Sequence, residues 1–413
     1  MPVLNANAPP AAGAAIWLSG FRPFFLFGTL YAPLLLAGTA AAFAGWLALP
    51  AGGSTPALWH GHEMVFGFAS ALIVGTLLTA LPSWAGTPEV RGGALAFLVG
   101  LWLIGRVALW AGPLLPQALA AAADLLLLPA LLALLGPALW RAPNRFFRWL
   151  LPILLALAAA DAAYHAGLLL RDAALAGLGL KAGVYTIMIL FALMGGLLTP
   201  IFTGNAAGGA SPRWNRRLEW AAAGSIALLA LLDLARAPPA WVGVAALACA
   251  GVHAVRTARW RGWRVARQPL LCVMHLAFAW LVVAFLLQAA AALTGLVPEA
   301  AWLHVFTIGS LGLMMLGLMT RVALRHTGRP LVVPAPLRLA HAAMSAAVVL
   351  RLAAEIRPAP AVLVAAALLW AGAFAVFLVR FARALIAPSL PRAAARPAGP
   401  ATGQPVEFRP APK

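Results

Sequence analysis

Trp59-His60-Gly61-His62-Glu63-Met64 opens an apolar run that ends in Pro82-Ser83-Trp84-Ala85-Gly86-Thr87-Pro88. Two histidines and a carboxylate fall within four residues, at the mouth of a segment long enough to cross a bilayer. A charged side chain at membrane depth costs roughly 2.5–3.5 kcal/mol on insertion scales, so it needs a reason to be there. One reading is a helix start capped by polar groups at the water interface. The other is a metal or haem site at one membrane face.

The rest of the chain fixes the setting. Of 413 residues, 63% are hydrophobic and only 9% are charged, where a soluble domain carries about 25% charged residues. Apolar runs of about 18 residues or more recur from end to end, each reading as a transmembrane helix. The fold class is therefore all-α, a polytopic transmembrane helical bundle; a β-barrel would show alternating segments of about ten residues. The net charge of +19 does not point to nucleic acid, because the basic residues are spread through membrane loops. Arginine outnumbers lysine 27 to 2, which reads as coding bias. Cys249 and Cys272 both lie in apolar runs and form no CxxC pair, so no zinc knuckle or disulfide framework is supported. The first apolar run is too long for a signal peptide and stays as a helix.

Twelve spans are expected, at about 24–49, 62–81, 92–111, 117–139, 148–170, 181–203, 218–236, 240–257, 268–293, 301–323, 336–356 and 359–386. Residues 1–23 form an N-terminal segment, 24–387 the membrane domain, and 388–413 a tail rich in Pro, Ala and Arg that reads as disordered. With this count, 23 of the 29 basic residues fall on the side of the termini and the even-numbered loops. The opposite loops hold only Arg171, Lys181, Arg236 and Arg357. Positive charge marks the cytoplasmic side, so both termini are expected there.

That orientation sorts the histidines by depth. His60 and His62, with Glu63, lie at the outer end of span 2; His304 lies near the outer end of span 10, and His165 in the outer third of span 5. His253, His275, His326 and His341 lie toward the cytoplasm. His60 and His62 point about 200° apart in a continued helix, so only one faces a given partner. His60 or His62 matches His304 in depth and comes from a different helix, as two axial ligands of one haem must. His304 also reads as a capped helix start, and His275 as a core histidine bonded to a carbonyl. His253 and His341 read as structural or interfacial, His165 as structural, and His326 as solvated.

Asp161 and His165 are four apart and share a helix face. Arg351 and Glu355 have the spacing of an ion pair. Arg106 pairs with Asp124 or Asp161, or meets a haem propionate. A threefold repeat of four helices is suggested by Thr76-Leu77-Leu78-Thr79 in span 2, Gly196-Leu197-Leu198-Thr199 in span 6 and Gly317-Leu318-Met319-Thr320 in span 10. Apolar sequences also generate such matches by chance.

Two family resemblances enter here. Phe21-Arg22-Pro23-Phe24-Phe25-Leu26, the Trp59-to-Met64 run, and His304-Val305-Phe306-Thr307 through Met319-Thr320-Arg321 to His326-Thr327-Gly328-Arg329 together resemble the NnrS family. The resemblance covers nearly all twelve spans. It implies a bacterial inner-membrane protein linked to nitric oxide and denitrification, containing haem, taken as b-type, and copper. It makes His60, His62, His275 and His304 the ligand candidates, and implies nitric oxide or a related small molecule as partner. It fixes no reaction and no electron donor.

The second resemblance is more distant. Span 2 is similar to the second helix of haem-copper oxidase subunit one, which begins H-G-x-x-M-x-F and is followed by P-x-x-x-G-x-P-D. The matching residues are His60-Gly61, Met64, Phe66, Pro82, Gly86, Pro88 and Glu89. In that superfamily this histidine pairs with one on the tenth helix, where His304 stands here. The departures are specific: Trp302 occupies the place of the second histidine of helix ten, and spans 6 and 7 hold no histidine. An oxidase-type binuclear centre is therefore not supported, and copper would need another site, built with His62, His165 or His275.

The expectation is a haem protein of nitric oxide metabolism or nitrosative-stress defence, with His60 and His304 as axial ligands near the outer face. His62, His275 and Arg106 are further cofactor-binding candidates. A cofactor-free twelve-helix secondary transporter and a haem or copper delivery factor are the alternatives. Transporter sites lie at the bilayer midplane on broken helices, and Pro200 with Gly195-Gly196 is the best place for such a break.

Overall fold

A computed structural model describes residues 14–43, 45–47, 54–208 and 215–391. The expectations for residues 1–13 and for the tail beyond 391 lie outside the described residues. Twelve long helices follow one another, and no strand occurs among the described residues. They are α1 (Phe21–Phe43), α2 (Pro56–Ala85), α3 (Gly93–Trp110), α4 (Gln117–Arg141), α5 (Arg145–Leu169), α6 (Ala173–Ala206), α7 (Arg216–Leu234), α8 (Pro239–Arg259), α9 (Pro269–Thr294), α10 (Glu299–His326), α11 (Ala335–Ile356) and α12 (Pro360–Ile386). Eleven are long and apolar enough to cross a bilayer. The exception is α7, whose first turn holds Arg216, Arg217 and Glu219. The chain is a multi-pass membrane protein.

Several helix starts differ from the expectation, for a local reason. Helix α2 begins at Pro56 rather than near 62. Thr55 caps it by accepting a hydrogen bond from the Leu58 backbone N–H at 3.3 Å, and Pro56 occupies the first turn. His60, His62 and Glu63 therefore sit inside the helix, not at its mouth. Helix α6 begins at Ala173 rather than 181, because the Asp172 carboxylate accepts from the N–H groups of Ala174 and Leu175 at 2.9 and 3.0 Å. Gly86 and Gly295, both at φ 67°, close α2 and α9 in the left-handed conformation that a side chain resists.

Three helices form the interior. In α2, α6 and α10, 83, 78 and 67% of the most apolar window is buried, against 50% or less in the other spans. Pairs α5–α6, α8–α9 and α11–α12 pack along their lengths, and α1 lies against both α2 and α12. The same three inner helices each contain a π-helical segment: Glu63–Ala69, Phe191–Gly195 and Val305–Gly312. Such widened turns are rare and often mark functional sites. In α2 and α10 the segment begins 16 and 15 residues before Thr79 and Thr320, but only eight before Thr199 in α6. The likeness is thus closest between α2 and α10.

The start of α1 meets the end of α12. Arg22, at the start of α1, donates to the carbonyls of Ala384, Leu385 and Ala387 at 3.2, 2.9 and 2.7 Å and to the Ser389 hydroxyl at 2.8 Å. The Leu390 backbone N–H donates to the Thr327 carbonyl at 3.0 Å. Residues 388–390, the first of the expected tail, are therefore held against the bundle.

Candidate functional site

One group of histidines and charged side chains on the inner helices lies at the end of the bundle where α2 and α10 begin. His60 and His304 lie there, each in the turn before the π-segment of its helix. The His60 Nδ1 is 3.2 Å from the Thr39 hydroxyl on α1. That hydroxyl already donates to the Leu35 carbonyl at 2.8 Å, so the Nδ1–H is the donor and Nε2 carries the lone pair. The His304 Nδ1 is 2.8 Å from the Ala300 carbonyl, which only accepts, so this ring also has its hydrogen on Nδ1. Arg351 NH2, which only donates, stands 3.3 Å from the His304 Nε2. The two imidazoles share one tautomer, with the lone pair of each on Nε2.

His60 is near enough to His304 and Arg351 to interact with both electrostatically. Arg351 pairs with Glu355 at 2.6 Å as the spacing suggests, and the same Glu355 oxygen lies 3.1 Å from the His304 Nδ1. Metal-binding histidines ordinarily give their second ring N–H to a carbonyl or carboxylate in this way.

His62 faces elsewhere. It is fully buried among α2, α4 and α5 and stacks on Tyr164, ring centroids 4.3 Å apart. Its Nε2 lies 3.0 Å from Asp161 Oδ1 and 3.2 Å from Asp124 Oδ2, and its Nδ1 3.1 Å from Glu63 Oε1. The His165 Nε2 lies 2.9 Å from Asp124 Oδ2 and 3.7 Å from Asp161 Oδ1. One ligand atom from each of His62, Asp124, Asp161 and His165 falls within 4.8 Å of all the others.

Arg106 donates to Glu63 and to Asp124, joining α3 to α2 and α4. Gly67 and Gly105 make room for it: a Cβ on Gly67 would come within 2.6 Å of Arg106 NH1, and one on Gly105 within 2.8 Å of Asp124 Oδ1. Tyr31 donates to Glu63 and accepts from the Trp110 Nε1–H at 2.8 Å.

The remaining candidates are separate. His275, near the start of α9, belongs to the opposite end of the bundle. Its Nε2 is 2.8 Å from the Thr203 hydroxyl, not bonded to a carbonyl. His253 donates to the Ala222 carbonyl through Nε2 at 3.2 Å. Both nitrogens of buried His341 lack a partner among the described residues. A further polar group joins Lys181 of α6 to Asp233 at 3.3 Å and to Glu299, with Tyr185 donating to Asp233 at 2.6 Å. An apolar cavity lies between α2, α6 and α10. Met194, Met314, Met315 and Met319 line it, and no titratable side chain does.

The tetrad was only half visible in the sequence. The four-residue spacing of Asp161 and His165 was the local signal, and Asp124 stood alone in an apolar run. Thr39 carried no signal at all. No curated protein is similar enough to the chain to match it. A family model does match, over residues 15–389, and by that nearly full-length match the chain belongs to the NnrS protein family.

Proposed function

We propose that this protein binds haem between α2 and α10 and acts in nitric oxide metabolism or nitrosative-stress defence in the bacterial inner membrane, with both termini cytoplasmic. The observation that carries this reading is the matched pair His60 and His304: two imidazoles on different inner helices, at the same end, each with Nδ1–H engaged and its lone pair on Nε2, which in His304 faces Arg351 NH2 at 3.3 Å, so that a ligand there displaces the arginine. That donor set fits a bis-imidazole haem. Family membership supports the link to nitric oxide, and the 23-to-4 distribution of basic residues supports the orientation.

The residues divide the work. Thr39 and the Ala300 carbonyl fix the ring orientations. Glu355 lies beside the His304 Nδ1–H and offsets Arg351. Arg351 is the cation nearest His304, whereas Arg106 is engaged by two carboxylates of the buried network. A haem with two tight axial ligands supplies electron transfer, and one with a labile ligand binds nitric oxide.

An absorption spectrum of purified protein tests the reading. A Soret band that shifts on reduction and is lost in His60→Ala and in His304→Ala is the expected result. A folded, colourless protein, or a Soret band unchanged in both variants, overturns it. Addition of nitric oxide to the reduced protein then shows whether an axial position opens.

A further inference from the structure

We infer that His62, Asp124, Asp161 and His165 form a second, separate site that binds one divalent first-row cation of the Zn2+ or Fe2+ type. The first support is geometric. The four facing contacts between ring nitrogens and carboxylate oxygens measure 3.0, 3.2, 2.9 and 3.7 Å. A tetrahedral ion with bonds of about 2.0–2.2 Å has ligand-to-ligand edges of about 3.3–3.6 Å. The observed quadrilateral brackets those edges, and the widest separation allowed by the 4.8 Å cluster has to close by about 1 Å.

The second support is the position of the hydrogens. Glu63 is held by Arg106 as a carboxylate and can only accept, so the His62 Nδ1 facing it at 3.1 Å carries a hydrogen. A neutral His62 then turns a bare Nε2 toward Asp161 and Asp124, which also only accept. Lone pairs meeting with nothing between them repel; a cation placed among them is attracted to all. Glu63, His62 and that cation would form the carboxylate–histidine–metal arrangement that sets ring orientation at metal sites.

The third support is charge. Glu63, Asp124 and Asp161 carry three negative charges, and Arg106 supplies one positive charge. All four side chains are at most 6% exposed. Two uncompensated charges buried there would each cost several kcal/mol, and a divalent ion cancels both. Two nitrogens and two oxygens without sulfur suit zinc or ferrous iron; cuprous copper prefers thiolate or thioether donors. Four protein ligands close the coordination sphere, so the ion ties α2, α4 and α5 together as a structural metal does.

The competing arrangement cancels the charge with two protons, one on each imidazole, and binds no metal. Purified full-length protein, stripped with chelator and reloaded with zinc chloride, distinguishes them by elemental analysis. About one zinc per chain is expected, with zinc affinity reduced at least about tenfold in Asp161→Asn and His165→Gln while the Soret band is unchanged. Zinc uptake below about a tenth of an equivalent, or full uptake in both variants, overturns the proposal. If those variants fold poorly, Co2+ loading of the unmodified chain decides: intense visible bands of a tetrahedral ion support the site, and the spectrum of free aqueous cobalt refutes it. Zinc stoichiometry, zinc affinity and the cobalt spectrum do not need haem, so the site and the His60–His304 reading fail independently.

Discussion

Replacing Arg106 with glutamine removes the cation that holds the buried network together. In the native protein its two end nitrogens donate to Glu63 on α2 and Asp124 on α4, and every partner is at most 6% exposed. Two charge-assisted hydrogen bonds at about 1.5–3 kcal/mol each give about 3–6 kcal/mol. Breaking a buried pair by removing one partner gives about 3–5 kcal/mol by a separate route. The overlap sets the expected loss for Arg106→Gln at about 3–5 kcal/mol. Exposed Arg91→Gln, with no such partner among the described residues, should stay within about 0.5 kcal/mol. Denaturation of detergent-solubilised protein, followed by loss of helicity, measures both. The double variant Arg106→Gln/Glu63→Gln removes one stranded carboxylate as well as the cation, and the amide carbonyl oxygen then at position 63 can still accept from His62 and Tyr31. It should therefore recover part of the loss, with a coupling of about 0.5–3 kcal/mol. If Arg106→Gln is as stable as the Arg91→Gln control, the buried network does not stabilise the fold.

Two other outcomes follow from close packing. At the α5–α6 crossing, a Cβ on Gly179 would come within 2.5 Å of the Tyr164 backbone N, and one on Gly167 within 2.3 Å of the Ala176 backbone N. Because those obstacles are backbone, Gly179→Ala should lose at least about 1–3 kcal/mol in the same denaturation assay, whereas Gly224→Ala, with nothing within 4 Å, should not. Arg22→Ala frees the last carbonyls of α12 and the Ser389 hydroxyl, so faster amide exchange confined to about residues 384–390 is expected by mass spectrometry.

The bundle was legible because membrane helices declare themselves by apolar length alone. Twelve runs gave twelve helices, including α7, which carries charge at both ends, at Arg216, Arg217 and Glu219 and again at Asp233. Helix starts were legible less well. Thr55 with Pro56, and Asp172, are standard caps, but hydropathy places the boundary where polar residues stop, not where the helix begins. His60 and His304 could be matched by depth from orientation. Their shared tautomer could not, since it depends on Thr39 and Ala300. His62 was tied in the sequence to a metal or haem role, yet its neighbours come from positions 99 and 103 residues away and from Asp124. Nothing local in an apolar helix announces that its one carboxylate meets two imidazoles. The π-segments were invisible for the same reason: Glu63–Ala69 and Val305–Gly312 have no composition that distinguishes them from α-helix.

Those widened turns give α2 and α10 a kind of gearing. Each π-segment takes up one residue more than an α-helical turn of the same height, and one residue is worth about 100° of rotation. The histidines ahead of the segment and the apolar surface behind it can therefore be aimed independently on one continuous rod. Deleting a single residue within Glu63–Ala69 would restore ordinary winding and swing His60 and His62 away from Thr39 and Asp161 together, while leaving the length of the crossing almost unchanged.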